Sequence, residues 1–292
     1  MFSSKQLFLP LLAAMALFPA HSFASTVLYG ITLDDNLLQI TVSPSSVSAT
    51  LIGQLSTVPD GGSSSLGIGE LGGDLYVYDQ NQQALLQVSP TDASTIATIN
   101  LGITNTEEGD LAFAPNGTGY LVSTVDAEGD FGSTGAMYSF STTPLSANLI
   151  TDNLSAQIDG LAFDSAGDGF ALEQGGATLD SITTGGVITE IGGTGINTDC
   201  GGFPCYSLGG LAFADGTLYA ALTNFSNSTS DFYTIDPTTG AATYIGDIPF
   251  DQISGITAAP SVTPPVPEPS TFVVMAGGLL AIVFRRRWSQ GS

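Results

Sequence analysis

The chain has 292 residues, 27 of them acidic and only four basic, for a formal charge of −23. Lys5, His21, Arg285 to Arg287 and Trp288 all sit near the two ends, so the stretch from Ser25 to Ser270 carries every carboxylate and no Lys, Arg, His or Trp. This excludes phosphate-backbone recognition of nucleic acid, histidine-dependent catalysis and metal binding, Schiff-base lysines and arginine clamps on anionic substrates.

In chain order, Lys5 precedes an apolar run from Leu7 to Phe18, and Ser22 and Ala24 place small residues before Ser25. A charged start, a short apolar core and an A-x-A-like cleavage site predict a signal peptide over 1–24 and an exported protein. The body that follows is rich in Gly, Ser and Thr. Its chain is nonetheless 43% hydrophobic with a mean hydropathy of +0.29, which argues for a packed core rather than disorder.

The body repeats. "GLAFDSAGDGFALEQ" from Gly160 and "GLAFADGTLYAALTN" from Gly210 are similar to "DLAFAPNGTGYLVST" from Asp110, with weaker copies in "GIGELGGDLYVYD" from Gly67 and "GITAAP" from Gly255. Each copy has a second half of the kind seen in "DFYTIDPTTGAATYIGDI" (231–248), which reads as strand, turn, strand. Four short strands every 43 to 50 residues match one blade of a β-propeller. The ends fit the same phase: "TVLYGIT" (26–32) aligns with a second strand and "ISGITAAP" (253–260) with a first strand. The prediction is an all-β, five-bladed β-propeller over 25–260, closed by N- and C-terminal strands that share one composite blade. A parallel β-solenoid is the structural alternative, although its repeats usually run shorter.

In a propeller the first strand of each blade lines the channel. Glu108, Asp110 and Asp159 lead into first strands, alongside Gly209, Gly210 and Gly255. The three carboxylates either converge on a hard cation such as calcium, the one candidate cofactor, or are solvated and cap turns. "DAEGDFG" (126–132) and "DSAGDG" (164–169) have the look of acidic calcium loops but lack EF-hand spacing. The only enzyme class compatible with this composition uses carboxylates alone, as a glycosidase does. Cys200 and Cys205 enclose "GGFP"; in an exported protein a local disulfide is expected, worth roughly 2 kcal/mol as a loop staple.

After the body, Pro264, Pro265, Pro267 and Pro269 predict an extended spacer over 261–269. Thirteen apolar residues, Phe272 to Phe284, then precede Arg285, Arg286 and Arg287. As a helix that run spans about 20 Å against a hydrocarbon core of ~30 Å, so it is a short transmembrane segment whose arginines stay on the cytoplasmic side and snorkel. Val266, Pro267, Glu268, Pro269 and Ser270, the apolar segment and the arginine cluster, together 266–288, resemble the PEP-CTERM sorting signal of Gram-negative bacteria. The resemblance implies an exosortase as processing partner, a transient inner-membrane intermediate, and delivery to the cell surface or extracellular matrix of an exopolysaccharide-making bacterium. The expected function is a non-catalytic surface or matrix component, joined to polysaccharide through divalent cations. The alternative is a carboxylate-only, glycosidase-like enzyme on the same fold.

Overall fold

Runs of β-branched, aromatic and aliphatic residues, punctuated by Gly, Asp and Asn, favour extended chain over helix. The computed structural model describes residues 25–55, 65–125, 131–197, 206–250 and 252–260, and in them finds twenty strands and one 3₁₀ turn. The leader, the spacer, the sorting tail with its apolar segment and arginines, the Cys200–Cys205 loop and most of "DAEGDFG" (126–130) lie outside the described residues.

The strands form five antiparallel sheets of four. The first joins β1 (Thr26–Thr32), β2 (Asn36–Ser43) and β3 (Ser46–Gln54) to the last strand of the body, β20 (Ile253–Ala258). The second holds β4 (Ser65–Leu71), β5 (Asp74–Asp79), β6 (Ala84–Val88) and β7 (Thr95–Asn100). The third holds β8 (Gly109–Phe113), β9 (Gly119–Val125), β10 (Phe131–Thr142) and β11 (Leu145–Thr151). The fourth holds β12 (Ile158–Phe163), β13 (Gly169–Glu173), β14 (Thr178–Ile182) and β15 (Ile188–Gly193). The fifth holds β16 (Tyr206–Ala214), β17 (Thr217–Asn224), β18 (Thr229–Ile235) and β19 (Ala242–Ile248).

Strand β20 pairs with β1 through Leu28↔Ala258 and Gly30↔Ile256, making the composite blade that the phase of the two ends predicts. The innermost strands run β20, β4, β8, β12, β16 around the axis, and β16 packs back on β20, so the ring is closed. The fold is a five-bladed propeller with blade starts at the predicted Gly67, Asp110, Gly160 and Gly210.

Each junction between blades has its own apolar core, and the L-A-F repeat explains how it fills. Leu161 and Phe163 of the fourth blade pack on Ala112 and Ala114 of the third. Leu211 of the fifth meets Ala162 of the fourth. A large face thus lies on a small face around the ring, each fully buried Leu or Phe contributing ~1.5–3 kcal/mol. Outer strands do the opposite: β7 alternates half-buried and exposed residues, as expected for an edge with one face in water.

Candidate functional site

The five inner strands share one column at the axis: Gly67, Asp110, Gly160, Gly210 and Gly255. The glycines are there because neighbouring backbones approach too closely for a side chain. A Cβ on Gly67 would lie 2.5 Å from Leu111 N, one on Gly210 2.4 Å from Ile256 N, and one on Gly255 2.7 Å from Gly67 Cα.

The third blade alone puts a side chain in that column. Asp110 is fully buried. Its Oδ1 accepts the Leu111 N–H (2.8 Å), and its Oδ2 accepts the N–H groups of Leu161 (2.9 Å) and Leu211 (3.2 Å). Cβ atoms on Gly67 and Gly255 would come within 2.6 Å and 3.0 Å of the same Oδ1. One carboxylate therefore touches all five blades and plugs the channel. Inner strands are sheet edges, so these N–H groups have no partner in a neighbouring strand; the plug satisfies them. Burial pushes the Asp110 carboxyl well above its ordinary value; the three N–H donors pull the other way, and the Asp159 charge adds to the rise.

Asp159 sits one level above, where a bulge between Ile158 and Gly160 re-aims the strand. It is 1% exposed; Oδ2 accepts the Gly175 N–H at 3.3 Å, while Oδ1 has no partner among the described residues. Burial, then the neighbouring Glu108 charge, raises its carboxyl well above the usual range. Glu108 lies at the mouth with a left-handed φ of 38°. The turn is held through the Glu107 carbonyl, which accepts Thr124 N–H (3.0 Å), Thr124 Oγ1 (2.9 Å) and Ser123 Oγ (3.1 Å). Gln174 Nε2 donates to Glu108 Oε2 at 2.7 Å, and burial raises the Glu108 carboxyl.

The structure thus gathers the three sequence-predicted carboxylates at one end of the axis, with different tasks. Asp110 is engaged by main-chain donors, Asp159 is enclosed, and Glu108 faces the mouth. Among the described residues no three His, Cys, Asp or Glu side chains are grouped to hold one metal ion. The "DSAGDG" loop is a turn in which Asp164 Oδ1 accepts the N–H groups of Ala166 and Asp168, both at 2.9 Å. Sequence reasoning did not single out the Gly-Asp-Gly-Gly-Gly column, although it is visible once the five first strands are aligned. Nor did it find Gln174 or the buried Asp180, which carry no motif. Below the plug the channel opens again into a cavity of about 440 Å³ at the opposite face.

Residues 265–287 match the PEP-CTERM protein-sorting motif. Similar folds occur in the crystal structure of a nidogen/laminin complex (14% identity over 80% of this chain and 84% of that one, TM-score 0.47). Glutaminyl cyclase from Myxococcus xanthus gives 20% identity over 64% of this chain and 70% of that one, TM-score 0.41. Virginiamycin B lyase from Staphylococcus aureus gives 11% over 74% and 68%, TM-score 0.41. No curated protein matches the sequence at a significant level. Fold and motif together define an exported propeller carrying an exosortase sorting signal.

Proposed function

We propose that the protein is a non-catalytic component of the cell surface or extracellular matrix, freed from the membrane by an exosortase and held among polysaccharide chains by divalent cations that bridge its carboxylates. The fate of the axial carboxylates carries this reading. Asp110 is spent on closing the ring and Asp159 is 1% exposed, so of the three axial carboxylates Glu108 alone faces the mouth, one short of the pair that glycoside hydrolysis requires. The charge also supports it: 27 carboxylates between Ser25 and Ser270 with no cationic side chain among them depend on cations from solution.

Intact mass of the protein from the membrane and matrix fractions, before and after an EDTA wash, tests the reading. The expected outcome is a matrix form cut near Pro267 to Ser270 that EDTA releases and sodium chloride of equal ionic strength does not. A protein confined to membranes with its tail intact would overturn it. So would polysaccharide hydrolysis by the purified protein that Glu108→Gln abolishes.

A further inference from the structure

At the mouth of the channel one carboxylate oxygen is enclosed without a donor. Asp159 is 1% exposed, and its Oδ1 has no hydrogen-bond partner among the described residues. Its other oxygen, Oδ2, is held only by the long contact from Gly175 N–H at 3.3 Å. A buried oxygen of this kind is costly unless a proton, a water or a cation meets it.

Its surroundings favour a cation. Gly175 belongs to the 3₁₀ turn Gln174–Gly176, and Gln174, the residue before it, donates Nε2 to Glu108 Oε2 at 2.7 Å. Two consecutive residues of one turn therefore touch two carboxylates, Asp159 of the fourth blade and Glu108 of the third, and draw them to one place. Glu108 is half-buried and Gln174 is exposed, which sets their contact on the solvent side of the enclosed Asp159. One level below, Asp110 commits both oxygens to main-chain N–H groups and adds only negative charge. No Lys, Arg or His occurs between Ser25 and Ser270, so the positive charge this pair calls for has to come from outside the chain.

We infer that Asp159 and Glu108 hold one calcium ion between the third and fourth blades, with Asp159 Oδ1 as its inner ligand. Two carboxylates balance the double charge. The Gln174 amide, turned over, offers Oε1 as a further oxygen, and water completes the about six to eight that calcium takes. Magnesium keeps several of its own waters and demands a near-octahedral shell, so it suits an enclosed inner ligand poorly. The ion ties two blades together at the mouth, as the Asp110 plug ties all five beneath it. This inference stands apart from the matrix reading, which concerns cations shared with a polymer at the surface.

Protein purified from the cells that export it is stripped with EDTA and melted in ~0.5 M sodium chloride, where surface charge is already screened, with calcium chloride or magnesium chloride added. The expected result is a rise in Tm that saturates with calcium at a concentration at least about tenfold lower than magnesium needs. Asp159→Asn removes that rise, and Glu108→Gln weakens calcium by about tenfold or more. Should Asp159→Asn not fold, the unchanged protein gives a second readout: equilibrium dialysis in the same salt at about 1 mM calcium leaves one calcium per chain above the level of the bath. No calcium above the bath, a rise in Tm that Asp159→Asn retains, or an equal response to the two metals would overturn the site.

Discussion

Asp180 shows what a single carboxylate costs in a body without cations. It lies on β14, 1% exposed, with Oδ2 unpartnered among the described residues, and directly opposite Glu190 on β15. Burial first, then the charges of Glu173 and Glu190, pushes its carboxyl up to about 6. The unfolded value is about 4. The favourable contribution is therefore complete below about pH 4 and is lost as pH rises through about 6, where the folded state must carry a buried charge. Asp180→Asn should raise stability by ~1–2 kcal/mol at pH 7.5, after allowing for solvent screening, and change little at pH 4. Urea denaturation of both proteins at the two pH values checks this; an equal gain at both would rule out the electrostatic origin. The position was not legible in "TLDSI" because a bulge between Leu179 and Asp180 breaks the alternation that would have turned this residue outward.

Among elements, the inner and outer strands obey different rules. Outer strands alternate in the way a half-buried edge must. Inner strands are packed on both faces, so alternation disappears and residue size takes over: small at the plug column and two residues on, large between. Gly210 marks the tightest of these approaches, with a Cβ there 2.4 Å from Ile256 N and 2.6 Å from Gly255 Cα. Gly185, in the turn before β15, would place a Cβ no nearer than 3.7 Å from Thr183 Oγ1. Gly210→Ala should cost ~2–3 kcal/mol and lower Tm by about 5–10 °C, against ~0.5 kcal/mol or less for Gly185→Ala. Calorimetric scans of the two variants decide it, and equal melting points would contradict the packing. The repeats at Asp110, Gly160 and Gly210 made these strands legible, since an L-A-F core that returns every fifty residues marks one blade per repeat. The task of Asp110 was not. Sequence order places it beside Glu108 as one of several mouth carboxylates, and only the parity of the strand and the closeness of four glycines turn its side chain across the axis.

For the whole molecule, closure was legible and electrostatic consequence follows from composition. The two ends are out of phase by one strand, and a ring that shares a blade between them removes both open edges at once. The finished ring then holds its carboxylates against mutual repulsion with no internal counter-charge. Its Tm should rise by several degrees between roughly 10 mM and ~0.5 M sodium chloride, and further with millimolar calcium, as screening relieves that repulsion. Melting curves across the series test it; a salt-independent Tm would mean that the charges lie too far apart to matter.

The shared blade also sets an order of events. A chain that crosses a membrane from its N terminus delivers β1 first and β20 last, so through most of its passage the body is an arc with two raw ends. The strand that completes the arc ends about a dozen residues before Ser270, just ahead of the sorting motif at 265–287. The last strand and the sorting motif therefore emerge nearly together, and a chain that presents the motif to its processing enzyme is one that has everything it needs to shut. In this arrangement the timing of export doubles as inspection: a body that broke off early would reach the outside with neither its clasp nor its sorting tag.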